Sequence, residues 1–139
     1  MAGSTSTGSQ IVLDASALIR ALVDLQPEAC EWLERGVTED VLTWPAHLYV
    51  EVAHPLTRLV RGGVIDAKRA VEAYGEVRRL RARVSPPQLL DPAIALALKR
   101  RLSVYDAAYV VLAEALRAPL VTADRRLAEA TEQAVLLPG

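Results

Sequence analysis

Asp14, Glu51, Asp106 and Asp124 occupy places where solvent alone does not account for a carboxylate. Asp14 closes the short apolar run QIVLD at 10–14, and Asp124 follows PLVT at 119–122 after one alanine, so each stands at the C-terminal edge of an expected strand. In an open parallel sheet that edge, near a switch in strand order, is where ligands are presented. Glu51 and Asp106 lie on expected helices dominated by apolar residues, Glu51 with His47 at i−4 and Asp106 with Val110 at i+4. A carboxylate on such an inward face is costly unless it is paired or bound to a cation. No Lys or Arg immediately flanks Asp14, Glu51 or Asp106, and clustered carboxylates repel one another unless something positive sits among them. A hard divalent ion meets that need. All-oxygen ligation suits Mg²⁺ or Mn²⁺, which keep several waters and reach out to phosphate oxygens. Such an ion acidifies a water and shields charge on a scissile phosphate, so the chemistry expected is phosphodiester hydrolysis.

Each acid also has a plainer reading. Ser103-x-x-Asp106 matches a capping box, Asp14 and Asp124 can each cap the helix that follows, and Glu51 can pair with Arg58 or stay solvated.

The elements that must carry these residues alternate between short apolar strands and helical patterns. After the first strand, Leu18, Ile19 and Leu22 have helical spacing; Pro27 opens a second helix, with Trp32 and Leu33 inward and Gly36 as its stop. A strand at 41–43 follows. From Pro45 the spacing of Leu48, Val52, Leu56, Leu59 and Val60 predicts a helix to Gly62-Gly63, kinked at Pro55. Asp66 is expected to cap a long helix carrying Val71, Tyr74, Val77 and Leu80, and Val84 a minimal strand. Asp91-Pro92 starts a helix to about Arg101, Ser103 another to Ala118, and PLVT, a short helix through Leu127 and a last strand at 135–137 complete the chain. This alternation means βαβ units and a mostly parallel sheet.

At 139 residues the chain suits one domain that needs no metal or disulfide for stability. Residues 1–9, polar and without side-chain charge, are expected to be a disordered tail, and 10–139 the folded domain. The 52% apolar content comes from Ala, Leu and Val with no Phe, which favours helices packed closely on a sheet. Cys30 is the only cysteine, so no intramolecular disulfide or Cys-based zinc site is available and a reducing cytoplasm is the natural setting. No apolar stretch approaches the ~20 residues that span a bilayer. A net charge of −1 gives no global argument for a nucleic-acid partner, so local clusters must supply one. Arg78, Arg79, Arg81 and Arg83 form one such cluster, with Lys99, Arg100 and Arg101 and with Arg58 and Arg61 on other helices; they could track an RNA backbone or simply be solvated faces and dipole partners. Arg125 and Arg126, beside the fourth acid, are expected phosphate contacts. His47, Glu51 and His54 could instead form a transition-metal site, although Pro55 distorts that turn.

The stretches IVLDASALIRAL, WPAHLYVEVAHPLTRLVRGGVID and LSVYDAAYVVLAEALRAPLVTADRRLA, in that order and spacing, resemble a PIN domain, specifically the VapC-type toxins of bacterial toxin–antitoxin pairs. The resemblance covers nearly the whole chain after the tail, and its most specific part is YDAAY followed by PLVTADRRL. It implies an α/β/α sandwich with a mostly parallel, about five-stranded sheet, a Mg²⁺- or Mn²⁺-dependent endoribonuclease, and a cognate VapB-like antitoxin that occupies and silences the site. It makes Asp14, Glu51, Asp106 and Asp124 the catalytic metal-binding acids and puts the hydroxyls of Ser16 and Thr122 behind them. Pro55 departs from the family pattern, in which that helix usually runs unbroken. Apolar surface near Leu22–Leu33 and Leu56–Val60 suggests a homodimer and an antitoxin groove. Two other readings stand beside this one: a PIN-like interaction module without useful catalysis, and a haloacid-dehalogenase-like phosphatase, whose pattern wants an Asp where Ser16 stands.

Overall fold

The computed structural model describes residues 9–139; the expected tail at 1–9 therefore lies, but for Ser9, outside the described residues. Strand β1 (Gln10–Leu13) leads into α1 (Ala15–Leu22) and α2 (Pro27–Thr38), then β2 (Val41–Pro45), α3 (Leu48–Arg61), α4 (Ala67–Arg79) and β3 (Ala82–Ser85). A single 3-10 turn precedes α5 (Leu90–Arg100), followed by α6 (Val104–Leu116), β4 (Leu120–Thr122), α7 (Arg125–Glu129) and β5 (Ala134–Leu136).

The strands form one five-stranded sheet of order β3-β2-β1-β4-β5. Every pairing is parallel, with Ile11 opposite Leu42 and Leu13 opposite Val121. Successive side chains of a strand point to opposite faces. Ile11, Val12 and Leu13 are all buried, so helices cover both faces of the central strand, the condition under which parallel sheets are stable. Because β2 lies on one side of β1 and β4 on the other, the chain reverses direction across the sheet between β1 and β4, which opens a crevice at their C-terminal ends.

Several boundaries differ from the sequence reading. Gly36 does not stop α2, which continues to Thr38; it is buried inside the helix, and a Cβ there would sit 2.1 Å from Leu42 Cδ2. Close approach to β2 explains this glycine. Pro45 ends β2 instead of opening α3, which begins at Leu48. The helix remains α-helical through Pro55; the proline lacks the N–H that would bond the Glu51 carbonyl four residues back. Val77 is buried as expected, but Val71 is exposed and Ala73 is buried in its place. Helices α5 and α6 each end on an arginine in the left-handed region, Arg101 at φ 56° and Arg117 at φ 53°, positions where a sequence reading looks for glycine.

Candidate active site

The end of β1 and the end of β4 are tied together through Asp14. Its Oδ1 accepts from the Ala17 amide at 2.9 Å and from Ser16 Oγ at 2.6 Å, and its Oδ2 accepts from Thr122 Oγ1 at 2.5 Å. Ser16 Oγ and Thr122 Oγ1 in turn accept the Ala123 and Asp124 amides at 2.8 and 2.9 Å. The two hydroxyls thus fix the turn that carries Asp124 and the orientation of Asp14 at once. Asp14 is 6% exposed, and burial pushes its carboxyl up to about 6, against the opposing pull of Ser16, Thr122 and the Ala17 amide; the charge of Asp124 pushes the same way as burial.

The other acids arrive from helices. Glu51, half-buried on α3, accepts from the Tyr109 hydroxyl at 2.8 Å. Its carboxyl is raised by burial and by Asp106, with the Tyr109 bond acting in the opposite sense. Asp106, in the first turn of α6, is raised by burial and by Asp124, offset by Arg126, Ser103 and His47. Asp14 therefore interacts with Asp124, Asp124 with Asp106, and Asp106 with Glu51, which makes the four one electrostatic cluster. All four line a single open cleft of about 650 Å³, with Arg20 and Arg58 as its basic side chains.

The capping readings hold alongside the clustering. Asp14 caps α1, Asp124 Oδ1 caps α7 by accepting the Arg126 and Leu127 amides at 2.9 and 3.3 Å, and Ser103 caps α6 through the Asp106 amide at 3.1 Å. A cap engages only some of a carboxylate's lone pairs, so capping and ion binding do not compete. Glu51 forms no ion pair with Arg58 among the described residues; Tyr109 takes that place. Of the two expected phosphate contacts, Arg126 lies near enough to lower the Asp106 carboxyl, while Arg125 and Arg126 are both exposed and neither lines the cleft.

Sequence reasoning missed Tyr109 and the setting of His47. Tyr109 follows Asp106 by three residues and so shares its helix face, a spacing that points to the contact. His47 packs edge-on against Tyr105 and Tyr109, 3.6 Å from Glu51 Oε1, with Nε2 buried and lacking a hydrogen-bond partner among the described residues. Burial lowers the His47 pKa. His54 lines the same cleft but is exposed.

The donors fit a hard cation: they are all oxygen and gathered at one rim, and burial together with neighbouring carboxylates raises the proton affinities of Asp14, Glu51 and Asp106. Among the described residues no three His, Cys, Asp or Glu side chains are gathered tightly enough to hold an ion unaided.

A family model described as the PIN domain matches residues 11–133. The chain belongs to the PIN domain family. This PIN domain is 38% identical over 125 residues to Ribonuclease VapC3 of Pyrobaculum aerophilum, covering 86% of this chain and 93% of that protein. It is 40% identical over 123 residues to Ribonuclease VapC9 of Mycobacterium tuberculosis, covering 86% and 89% respectively. Among solved structures it resembles PAE2754 from Pyrobaculum aerophilum with a TM-score of 0.71 at 26% identity, covering 91% of this chain and 82% of that one. The fold is shared with VapBC2 from Rickettsia felis, solved bound to a promoter DNA fragment, at a TM-score of 0.59 and 10% identity, covering 92% and 97%.

Proposed function

We propose that this PIN domain is a toxin-type endoribonuclease of the VapC kind, using Mg²⁺ or Mn²⁺ and silenced by a VapB-like antitoxin. The observation that carries the reading is the convergence of Asp14, Glu51, Asp106 and Asp124, from four separate segments, on one cleft at the switch point of the sheet. The ribonuclease class is supported by VapC relatives at 33–40% identity over most of the chain. The antitoxin is supported by the VapC relatives and by the fold shared with a chain of a toxin–antitoxin complex.

Asp14 and Asp106 would hold the ion, with Glu51 and Asp124 completing its surroundings directly or through water. Once bound, the ion would supply positive charge against the developing phosphoryl charge and make a water more acidic. The chain's own groups set the rest. Ser16 and Thr122 hold both oxygens of Asp14 toward the rim, and the Tyr109 hydroxyl holds Glu51. Arg126 is the cation that sits near Asp106, and we assign it and Arg125 to the phosphates flanking the cut. Purified protein should cleave a labelled mixed RNA pool with Mg²⁺ or Mn²⁺ and stop when EDTA is added; cleavage indifferent to EDTA would refute the metal requirement.

A further inference from the structure

The active-site cleft is poorly furnished to attract a polyanion. Four carboxylates line it against two guanidinium groups, and one of these, Arg20, is engaged by the Pro138 carbonyl at 2.8 Å and by Asp24 at 3.7 Å. Substrate attraction must come from elsewhere on a chain of net charge −1.

At the opposite edge of the sheet, where β2 and β3 begin, a second cleft of about 600 Å³ is lined by Arg79, Arg81 and Arg83. Its single acid, Asp40, is already paired with Arg35 at 3.6 Å. Among the described residues none of the three cleft arginines enters an ion pair. The sequence has no acid between Glu76 and Asp91, and residues 1–8 contain none either. Arg79, in the last turn of α4, suits the helix dipole, but Arg81 and Arg83 lie beyond the helix and have no such explanation. Arg83 stands on the edge strand β3 and Arg81 immediately before it, so both border the groove where that strand begins.

We propose that Arg79, Arg81 and Arg83 form a second RNA-backbone site, distinct from the site of cleavage. This rests on the ribonuclease reading. Unpartnered arginines in a groove match phosphate oxygens in charge and in bidentate geometry. The strands between the two clefts run four or five residues at ~3.3 Å each, roughly 15 Å, a separation that a folded RNA bridges. The site would then govern capture of substrate more than turnover.

The test is the combined Arg79→Gln, Arg81→Gln, Arg83→Gln variant, compared with an equal-charge control, Lys68→Glu with Arg117→Gln, taken from exposed positions elsewhere. Binding of a labelled single-stranded RNA is measured in EDTA across a salt series, and cleavage kinetics with Mg²⁺. The cleft variant should lose about 10- to 100-fold in affinity near ~0.1 M salt, flatten the salt slope by roughly 2 (~0.7 per phosphate contact), and raise KM with kcat retained. Arg81→Gln alone should give about a third of the slope change. Equal losses in the control and cleft variants, or unchanged affinity in the cleft variant of a protein that cleaves RNA, would overturn the proposal and leave the nuclease reading intact. The latter result would also favour an acidic protein partner for the cleft. A wild-type chain that neither binds nor cleaves RNA would overturn both.

Discussion

Asp14 concentrates the conflict between folding and chemistry. Its carboxyl titrates near 6 in the folded chain against an ordinary 3.8, so between those values the native state holds more protons than the unfolded one. Stability is therefore greatest below the ordinary value and falls as pH rises through about 6, by roughly 3 kcal/mol for a gap of this size. Metal-free protein should melt at a higher temperature at pH 5 than at pH 7.5, and Asp14→Asn should remove most of that dependence while raising the melting temperature at pH 7.5. Because an ion competes with the proton for the carboxylate, Mg²⁺ should stabilise the wild type more at pH 7.5 than at pH 5. Thermal melts across pH with and without Mg²⁺ check all three. Tyr109→Phe removes the hydroxyl that holds Glu51; it should cost about 1–2 kcal/mol of stability in chemical denaturation and lower cleavage more than binding.

At the scale of elements, the strands and most helices were legible because their apolar periods and caps agree. Asp14, Asp66 and Ser103 cap the helices expected of them. What sequence could not supply was tertiary. Gly36 reads as a terminator until Leu42 is seen against it, and Val71 fits the apolar stripe of α4 although the fold leaves that face open. The four acids were legible as a set from their positions at strand ends and on apolar helix faces, whereas the Tyr109–Glu51 bond joins residues 58 apart in sequence and needed the fold. Gly36→Ala should destabilise by about 1–3 kcal/mol, since the new methyl must displace Leu42. Arg117→Gly should instead stabilise by about 0.5 kcal/mol, relieving a left-handed side-chain position at the end of α6. Denaturant midpoints of the two variants should move in opposite directions.

At the scale of the whole molecule, charge and apolar surface are both unevenly spread. The acids gather at one edge of the sheet and the unpaired arginines of 79–83 at the other, although the totals nearly cancel. The apolar surface is not where the sequence suggested. Leu22–Leu33 leaves only Leu25 among its large apolar side chains exposed and Leu56–Val60 none, whereas Leu90, Ile94 and Leu98 form a stripe along α5, with Leu98 80% exposed. No described helix is long and apolar enough to cross a membrane. The claim on which the rest depends is that the acidic cleft cuts RNA. The most direct test is cleavage of a labelled RNA pool with Mg²⁺ by the wild type beside Asp14→Asn and Asp106→Asn. Cutting by the wild type that falls by about 100-fold or more in both variants, as expected for loss of a group that acts on the transition state, is the predicted result. Equal cutting by all three, or none by a wild type that still binds Mg²⁺, would contradict it.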